Sequence, residues 1–361
     1  MMLTKFFLTR LLGMAFAFLQ SFQQRRIRTF SLLFAVGLSL TLAVSACSPS
    51  ASDNSGTPQA TQASSPVASS ITVRIGYQKA STVLYALKAR GELEKAFAAS
   101  GSSVTWAEFP AGPPLLEALN AGSIDFGYTG ESPPIFAQAG GIPLVYIAYD
   151  PWSPKAEAIL VPKDSPIKSV AELKGKKVAF AKGSNANYLL VKALEKAGVQ
   201  YSDIQPITLT PADARAAFEQ KNVDAWAIWD PYLAAAEAAT GARSLVDATG
   251  LAPNRGYYLA AKSFVDAKPD ALKIVLDQVK KVSEWAKNNP SEVAKFLSPA
   301  LGIDAPVLEI AEKRREYDVL PLTDEVITKQ QEVADTFYKI KLIPKQIKVK
   351  EIVWQGKLNN S

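Results

Sequence analysis

The chain has no histidine in its 361 residues and only one cysteine, Cys47. That excludes Ser-His-Asp and Cys-His nucleophiles and every histidine-ligated metal. One thiol builds neither a disulfide framework nor a thiolate cluster. No metal and no cofactor is expected, and proton-transfer chemistry would fall to carboxylates alone. Charge is scarce as well. The formal net charge is +6, but Lys5, Arg10, Arg25, Arg26 and Arg28 all precede Cys47 and no acidic residue does, so the rest carries 35 basic against 34 acidic side chains. A nearly neutral body has no electrostatic footprint for nucleic acid.

What is present begins with residues 1–46, which read as an export signal. Arg25-Arg26-Ile27-Arg28 supplies a positive flank, Phe30 to Val44 an apolar core, and small residues its end. The core is shorter than the roughly 20 residues of a spanning helix. Val44-Ser45-Ala46-Cys47 resembles the lipobox of bacterial lipoproteins, which implies acylation of Cys47 and contact with a membrane through that anchor only. Residues 47–70, rich in Ser, Pro, Ala, Thr and Gln, read as a flexible tether.

From Ile71 strands and helices alternate, the mark of a mostly parallel α/β sheet covered on both faces. The organising stretch is Phe109 to Phe136. Gly112-Pro113-Pro114 opens a helix carrying Leu115, Leu116 and Leu119, Asn120 and Gly122 end it, and Ile124-Asp125-Phe126 forms a short strand. Thr129-Gly130-Glu131-Ser132-Pro133 then reads as a strand-to-helix turn with Ser132 as N-cap. The unit recurs a hundred residues on: Pro211-Ala212 opens a helix, Val223-Asp224-Ala225 is the strand, and Trp229-Asp230-Pro231-Tyr232 is the turn. Leu119 and Phe218 each stand six residues before Asp125 and Asp224. The echo predicts two similar lobes facing one site.

Ser81, Gly112, Ser132, Ser184, Thr210 and Asp230 mark helix N-termini, whose unpaired N–H groups and dipoles favour anions. Ser132, Thr210 and Asp230 read equally well as caps that need no ligand. Trp226 reads as core and Trp229 as cleft. Arg215 and the run Lys313-Arg314-Arg315-Glu316 read as solvated.

Gly76-Tyr77-Gln78-Lys79, Phe109 to Pro113, Thr129 to Ala139, Thr210 to Phe218 and above all Val223-Asp224-Ala225-Trp226-Ala227-Ile228-Trp229-Asp230-Pro231-Tyr232 resemble the aliphatic-sulfonate-binding proteins of bacterial ABC importers, a group that includes nitrate- and taurine-binding proteins. The likeness spans Ile71 to about Trp354. It implies a type II periplasmic-binding-protein fold, two α/β lobes joined by two crossing strands, placed here near Ala158–Val161 and Tyr257–Ala261. Lobe I is then 71–157 with 262–361, and lobe II 158–261. The implied partners are an anionic organosulfonate and the permease subunits of an ABC transporter, with the receptor acting as a monomer on the outer face of the cytoplasmic membrane.

Gln78, Gly130, Ser132, Gly183, Ser184 and Asn185 are the expected sulfonate donors, so that main-chain amides and neutral groups, with no arginine, hold the anion. Trp229, Tyr257, Tyr128 and Ala111 are the expected apolar wall. Gly112 and Thr129 belong to the same turns, and Glu131 and Asp230 would meet an ammonium on a substrate that carries one. Glu131 and Asn185-Ala186-Asn187 depart from the family pattern. The same role for taurine, nitrate or another small ligand is one alternative. A thiamine-pyrimidine-synthase-like enzyme of the same fold is another, disfavoured because that enzyme consumes a histidine this chain does not have.

Overall fold

The computed structural model describes residues 70–356. The export signal, Cys47 and the tether lie outside them. Alternation of strand and helix holds from the start: β1 Thr72–Gln78, α1 Thr82–Arg90, α2 Glu92–Ala98, β2 Ser103–Phe109, α3 Gly112–Asn120, β3 Phe126–Gly130, α4 Ser132–Ala139 and β4 Leu144–Tyr149. The chain then passes to β5 Glu157–Val161, β6 Lys177–Phe180, α5 Asn185–Lys196, β7 Gln205–Thr208, α6 Pro211–Glu219, β8 Ala225–Trp229, α7 Tyr232–Thr240 and β9 Arg243–Asp247. It returns through β10 Gly256–Ala261, α8 Lys262–Ala267, α9 Pro269–Asn288, α10 Pro290–Leu301, α11 Ala305–Lys313 and α12 Asp324–Lys339.

Two five-stranded sheets result, ordered β2-β1-β3-β10-β4 and β7-β6-β8-β5-β9. In the first, β10 runs antiparallel to both neighbours, and in the second β5 does so at the matching place. The remaining pairings, β1 with β2 and β3, and β6 with β7 and β8, are parallel. The lobe boundaries need one correction. Tyr257–Ala261 pairs wholly within the first sheet and Ala158–Val161 wholly within the second. The crossings are therefore the connectors 150–156 and 248–255, and β10 belongs to the first lobe. The apolar run Tyr257–Ala261 is a fully inserted sheet strand, which is why periodicity could not separate it from a crossing segment.

The internal echo has a physical basis. The Asp125 carboxylate accepts from the Arg74 N–H at 2.9 Å, and Asp224 accepts from the Lys177 N–H at 2.8 Å. Each acid also donates its own N–H back, to the carbonyl of Arg74 or of Lys177. Both close the ladder between the first strand of a lobe and the strand that follows the helix. Helix packing follows the apolar stripes. Leu272, Val275, Leu276, Val279, Val282 and Ala286 of α9 are buried over the first sheet, and Leu115, Leu116 and Leu119 of α3 are buried on its other face. A third helix face matters for both lobes. Phe337 of α12 packs 4.9 Å from the Phe136 ring of the first lobe and 5.6 Å from the Tyr188 ring of the second.

Candidate functional site

The carboxyl ends of the parallel strands of both sheets converge on one cavity, where an open α/β sheet places its ligand crevice. Its wall takes Gln78 and Ser81 from the β1–α1 turn, Gly112 from α3, and Tyr128, Gly130 and Pro133 from around β3 and α4. The second lobe supplies Ser184, Asn185 and Trp229. The rest comes from the crossings, with Asp150, Ser153, Asn254 and Arg255, and from the segment after α11, with Arg315, Glu316 and Tyr317. The cavity holds about 90 Å³, room for a small organic ion and not for a polymer. Two open grooves of about 610 and 840 Å³ flank α12. Neither is reached by a helix N-terminus of the two β-sheet turns or by a buried arginine.

Among the residues expected from the sequence, Gln78, Gly112, Tyr128, Gly130, Ser184, Asn185 and Trp229 reach the cavity wall. Ala111, Thr129, Glu131, Ser132, Gly183, Asp230 and Tyr257 are not part of it. Gly183 gives its N–H to Asn187 Oδ1 at 3.1 Å. Tyr257 packs edge-on against Tyr146 at 5.0 Å in the core. Thr210, a candidate helix N-terminus, only caps its own helix by accepting from the Asp213 N–H. Trp226 is fully buried core, as expected.

Several expected donors are already spent. The Ser184 hydroxyl donates to the Ala181 carbonyl at 2.6 Å and caps α5 by accepting from the Asn187 N–H. Asn185 works across the cleft: its Oδ1 accepts from the Ser132 N–H at 3.1 Å, and its Nδ2 donates to Asn254 Oδ1 at 3.1 Å. Gly130 permits that approach, because a Cβ there would lie 2.2 Å from Asn185 Oδ1. A glycine is required at position 256 for a similar reason, since a Cβ would collide with the Tyr128 hydroxyl.

Main-chain donors are also fewer than the turn pattern suggests. Pro113 and Pro114 follow Gly112, Pro133 and Pro134 follow Ser132, and proline has no N–H. Those helices keep the positive end of the dipole but lose donors just where an anion would sit. Two guanidiniums, Arg255 and Arg315, stand on the cavity wall, where the sequence led to the expectation of a site without arginine. Arg255 is 5 % exposed, and among the described residues its Nε and Nη1 have no hydrogen-bond acceptor. Arg315 donates to the Ala80 carbonyl at 3.2 Å and to the Asp230 carbonyl, joining the two lobes at the cavity edge. Arg314 beside it pairs with Asp230 at 3.4 Å and Glu237 at 2.7 Å. Within the run Lys313–Glu316, Lys313 and Glu316 are exposed as expected, while Arg314 and Arg315 turn inward. The helix ends at Lys313, the chain turns inward, and a string of charges gives no periodic signal of that turn. Arg255 was missed because Pro253-Asn254-Arg255-Gly256 reads as a loop. Only its place immediately before a buried strand could have flagged it.

Buried carboxyls surround the cavity. Burial pushes Asp150 up to about 7, against hydrogen bonds from Tyr128, the Asp318 N–H and Tyr258 that favour its charge. Burial likewise raises Asp230 to about 6, with Arg314 and Arg315 holding it from rising further. Glu131 rises to about 7 by burial, although the Arg255 N–H donates to its Oε2 at 2.9 Å. Among the described residues its Oε1 has no partner, nor has either oxygen of the buried Glu157, whose pKa is driven up by burial and by Glu131. Glu131 lies behind the wall, beneath the second crossing.

Residues 97–293, more than half of the chain, match the family model described as NMT1/THI5 like. The chain is 46 % identical over 284 residues to a protein of Escherichia coli (strain K12) described as a putative aliphatic sulfonates-binding protein, covering 78 % of this chain and 88 % of that one. It belongs to the NMT1/THI5-like family and, within it, to the aliphatic-sulfonate-binding proteins. A Bacillus subtilis (strain 168) member with the same description is 38 % identical, over 78 % of this chain and 85 % of its own. The alkanesulfonate-binding protein SsuA from Xanthomonas axonopodis pv. citri, solved bound to MOPS, superposes with a TM-score of 0.75 at 43 % identity, covering 78 % of this chain and 98 % of that one. The architecture is the type II periplasmic-binding-protein fold.

Proposed function

We propose that this member of the aliphatic-sulfonate-binding family captures an alkanesulfonate between its lobes outside the cytoplasm and delivers it to an ABC permease. The observation that carries the reading is the Arg255 guanidinium, buried in the cavity wall with two donors unpaired. A buried cation with free donors is costly unless an anion completes it. A sulfonate is a permanent anion with three acceptor oxygens, and Ser81, Gln78 and the α1 N-terminus stand on the same wall. Trp229 and Pro133 offer apolar surface for the alkyl part. The lobes close over the guest because its contacts come from both sides, polar donors from the first lobe and the second crossing and the Trp229 ring from the second lobe, so that occupancy shifts the population toward the closed form. Cys47 carries the lipid anchor, and the receptor works as a monomer.

A thermal-shift panel of alkanesulfonates, taurine, nitrate, sulfate and phosphate, run in a buffer that is not itself a sulfonate, tests the ligand class. A ligand at a hundredfold its dissociation constant stabilises by about 2.7 kcal/mol. Alkanesulfonates raising the midpoint is the expected result. Nitrate or taurine alone doing so transfers the role to that ligand, and no shift with any of them sinks the reading. Labelling with a radioactive fatty acid, lost in Cys47→Ala, checks the anchor.

A further inference from the structure

Trp152 is 45 % exposed, one of the few large apolar side chains in the described residues that face water. It sits on the first crossing, between the cavity residues Pro151 and Ser153. The Arg255 guanidinium of the second crossing lies 5.2 Å from its ring and 4.7 Å from the Tyr149 ring. The backbone of Arg255 is fixed independently. Its N–H donates to Glu131 Oε2, and its carbonyl accepts from Asn185 Nδ2. The backbone anchors fix the start of the long side chain, its guanidinium meets the Tyr257 hydroxyl, and among the described residues no acceptor holds Nε or Nη1. Beyond that hydroxyl, two aromatic faces hold the group.

We propose that Trp152 is a positioning residue, which together with Tyr149 holds the Arg255 guanidinium by its faces so that its Nε and Nη1 edge stays presented to an anionic headgroup. A ring face attracts a guanidinium electrostatically without taking any of its N–H donors. An acceptor side chain in the same place would orient the group but consume the donors the ligand needs. The arrangement also explains a tryptophan left in water: its inner face has a cation to cover. This proposal rests on the reading of the cavity as an anion site.

The test is titration calorimetry of the mature chain with methanesulfonate and octanesulfonate, in a sulfonate-free buffer, on the parent and on Arg255→Ala, Trp152→Leu and Trp152→Phe. Trp152→Leu is expected to weaken binding by about tenfold and Trp152→Phe by no more than about threefold, since phenyl keeps a π face. The loss in Trp152→Leu is expected to be equal for the short and the long ligand, with the thermal midpoint of the unliganded chain unchanged. A loss that grows with alkyl length would make Trp152 a wall for the chain and overturn the proposal. So would Trp152→Phe binding as weakly as Trp152→Leu, or Trp152→Leu binding like the parent while Arg255→Ala fails. Arg255→Ala binding like the parent would instead remove the anion reading itself, and this proposal with it.

Discussion

The two lobes share a strand order and a strand-closing aspartate, yet they treat their helix N-termini in opposite ways. In the second lobe the helices cap themselves: Ser184 caps α5, Thr210 caps α6, and Asp230 Oδ1 accepts from the Ala234 N–H of α7. In the first lobe α1, α3 and α4 begin without a side-chain cap. One of these gaps is filled from across the cleft, where Asn185 accepts from Ser132. The first lobe therefore keeps unsatisfied positive ends at the cavity, and the second is finished before any guest arrives. The difference lies in where cap donors remain open: at the first lobe's helix starts and not at the second's.

The acids at the matching turns differ too. Asp230, fully buried, is neutralised by Arg314 from the other lobe, so it ties the lobes together. Removing the guanidinium would strand that carboxylate. Arg314→Ala is expected to lower stability by about 3 kcal/mol in urea unfolding, the largest effect here. A change below 1 kcal/mol would show that this contact is not what distinguishes the second turn.

Glu131, at the corresponding place in the first lobe, has no ion-pair partner among the described residues, and its Oε1 accepts no hydrogen bond there. Burial raises its folded pKa to about 7, above the ordinary carboxyl value of 4.5, so the folded state binds the proton more tightly than the unfolded one. The associated stability is fully present below about pH 4.5 and is lost as pH rises toward 7 and past it. Over that span the loss amounts to about 3 kcal/mol as an upper figure. Glu131→Gln should flatten the fall of stability between those pH values relative to the parent. Parallel curves would show that Glu131 is charged throughout and matched by Arg255.

The strand-closing acids give a smaller contrast. Asp125 is buried and also bonded by the Arg74 Nε at 2.9 Å, while Asp224 is half-buried with the main-chain bond alone. Asp125→Ala is expected to destabilise by about 2 kcal/mol and Asp224→Ala by about 1 kcal/mol. Equal values in denaturant titrations would mean that the guanidinium adds nothing. Smallest is the exchange of caps. Ser184→Ala should cost about 1 kcal/mol of stability and leave sulfonate affinity within about threefold. Ser81→Ala should do the reverse, weakening affinity by about fivefold at unchanged thermal midpoint. Both substitutions acting on stability alone would erase the distinction between the lobes.

Much of this was legible in the chain. The Asp125 and Asp224 echo foretold two equivalent lobes because a short strand after a helix needs its ends closed, and an aspartate does that with a fixed spacing. Turn chemistry led to Gln78, Gly112, Gly130 and Ser184 because glycine, serine and proline mark strand-to-helix turns locally. What escaped was long-range. Nothing near Arg255 or Arg315 announces that a distant aromatic pair or a distant carbonyl will receive the guanidinium. Ser132 and Asp230 read as ligand residues because they open helices, but Ser132 turns its N–H to Asn185 and Asp230 its carboxylate to Arg314.

Phe337 touches rings of both lobes at once, far along the sequence from either. Any swing of one half against the other must slide those rings across each other before the oily seam admits water. Parting the halves therefore uncovers an aromatic side chain that both of them now shelter, a cost that favours small excursions over wide ones.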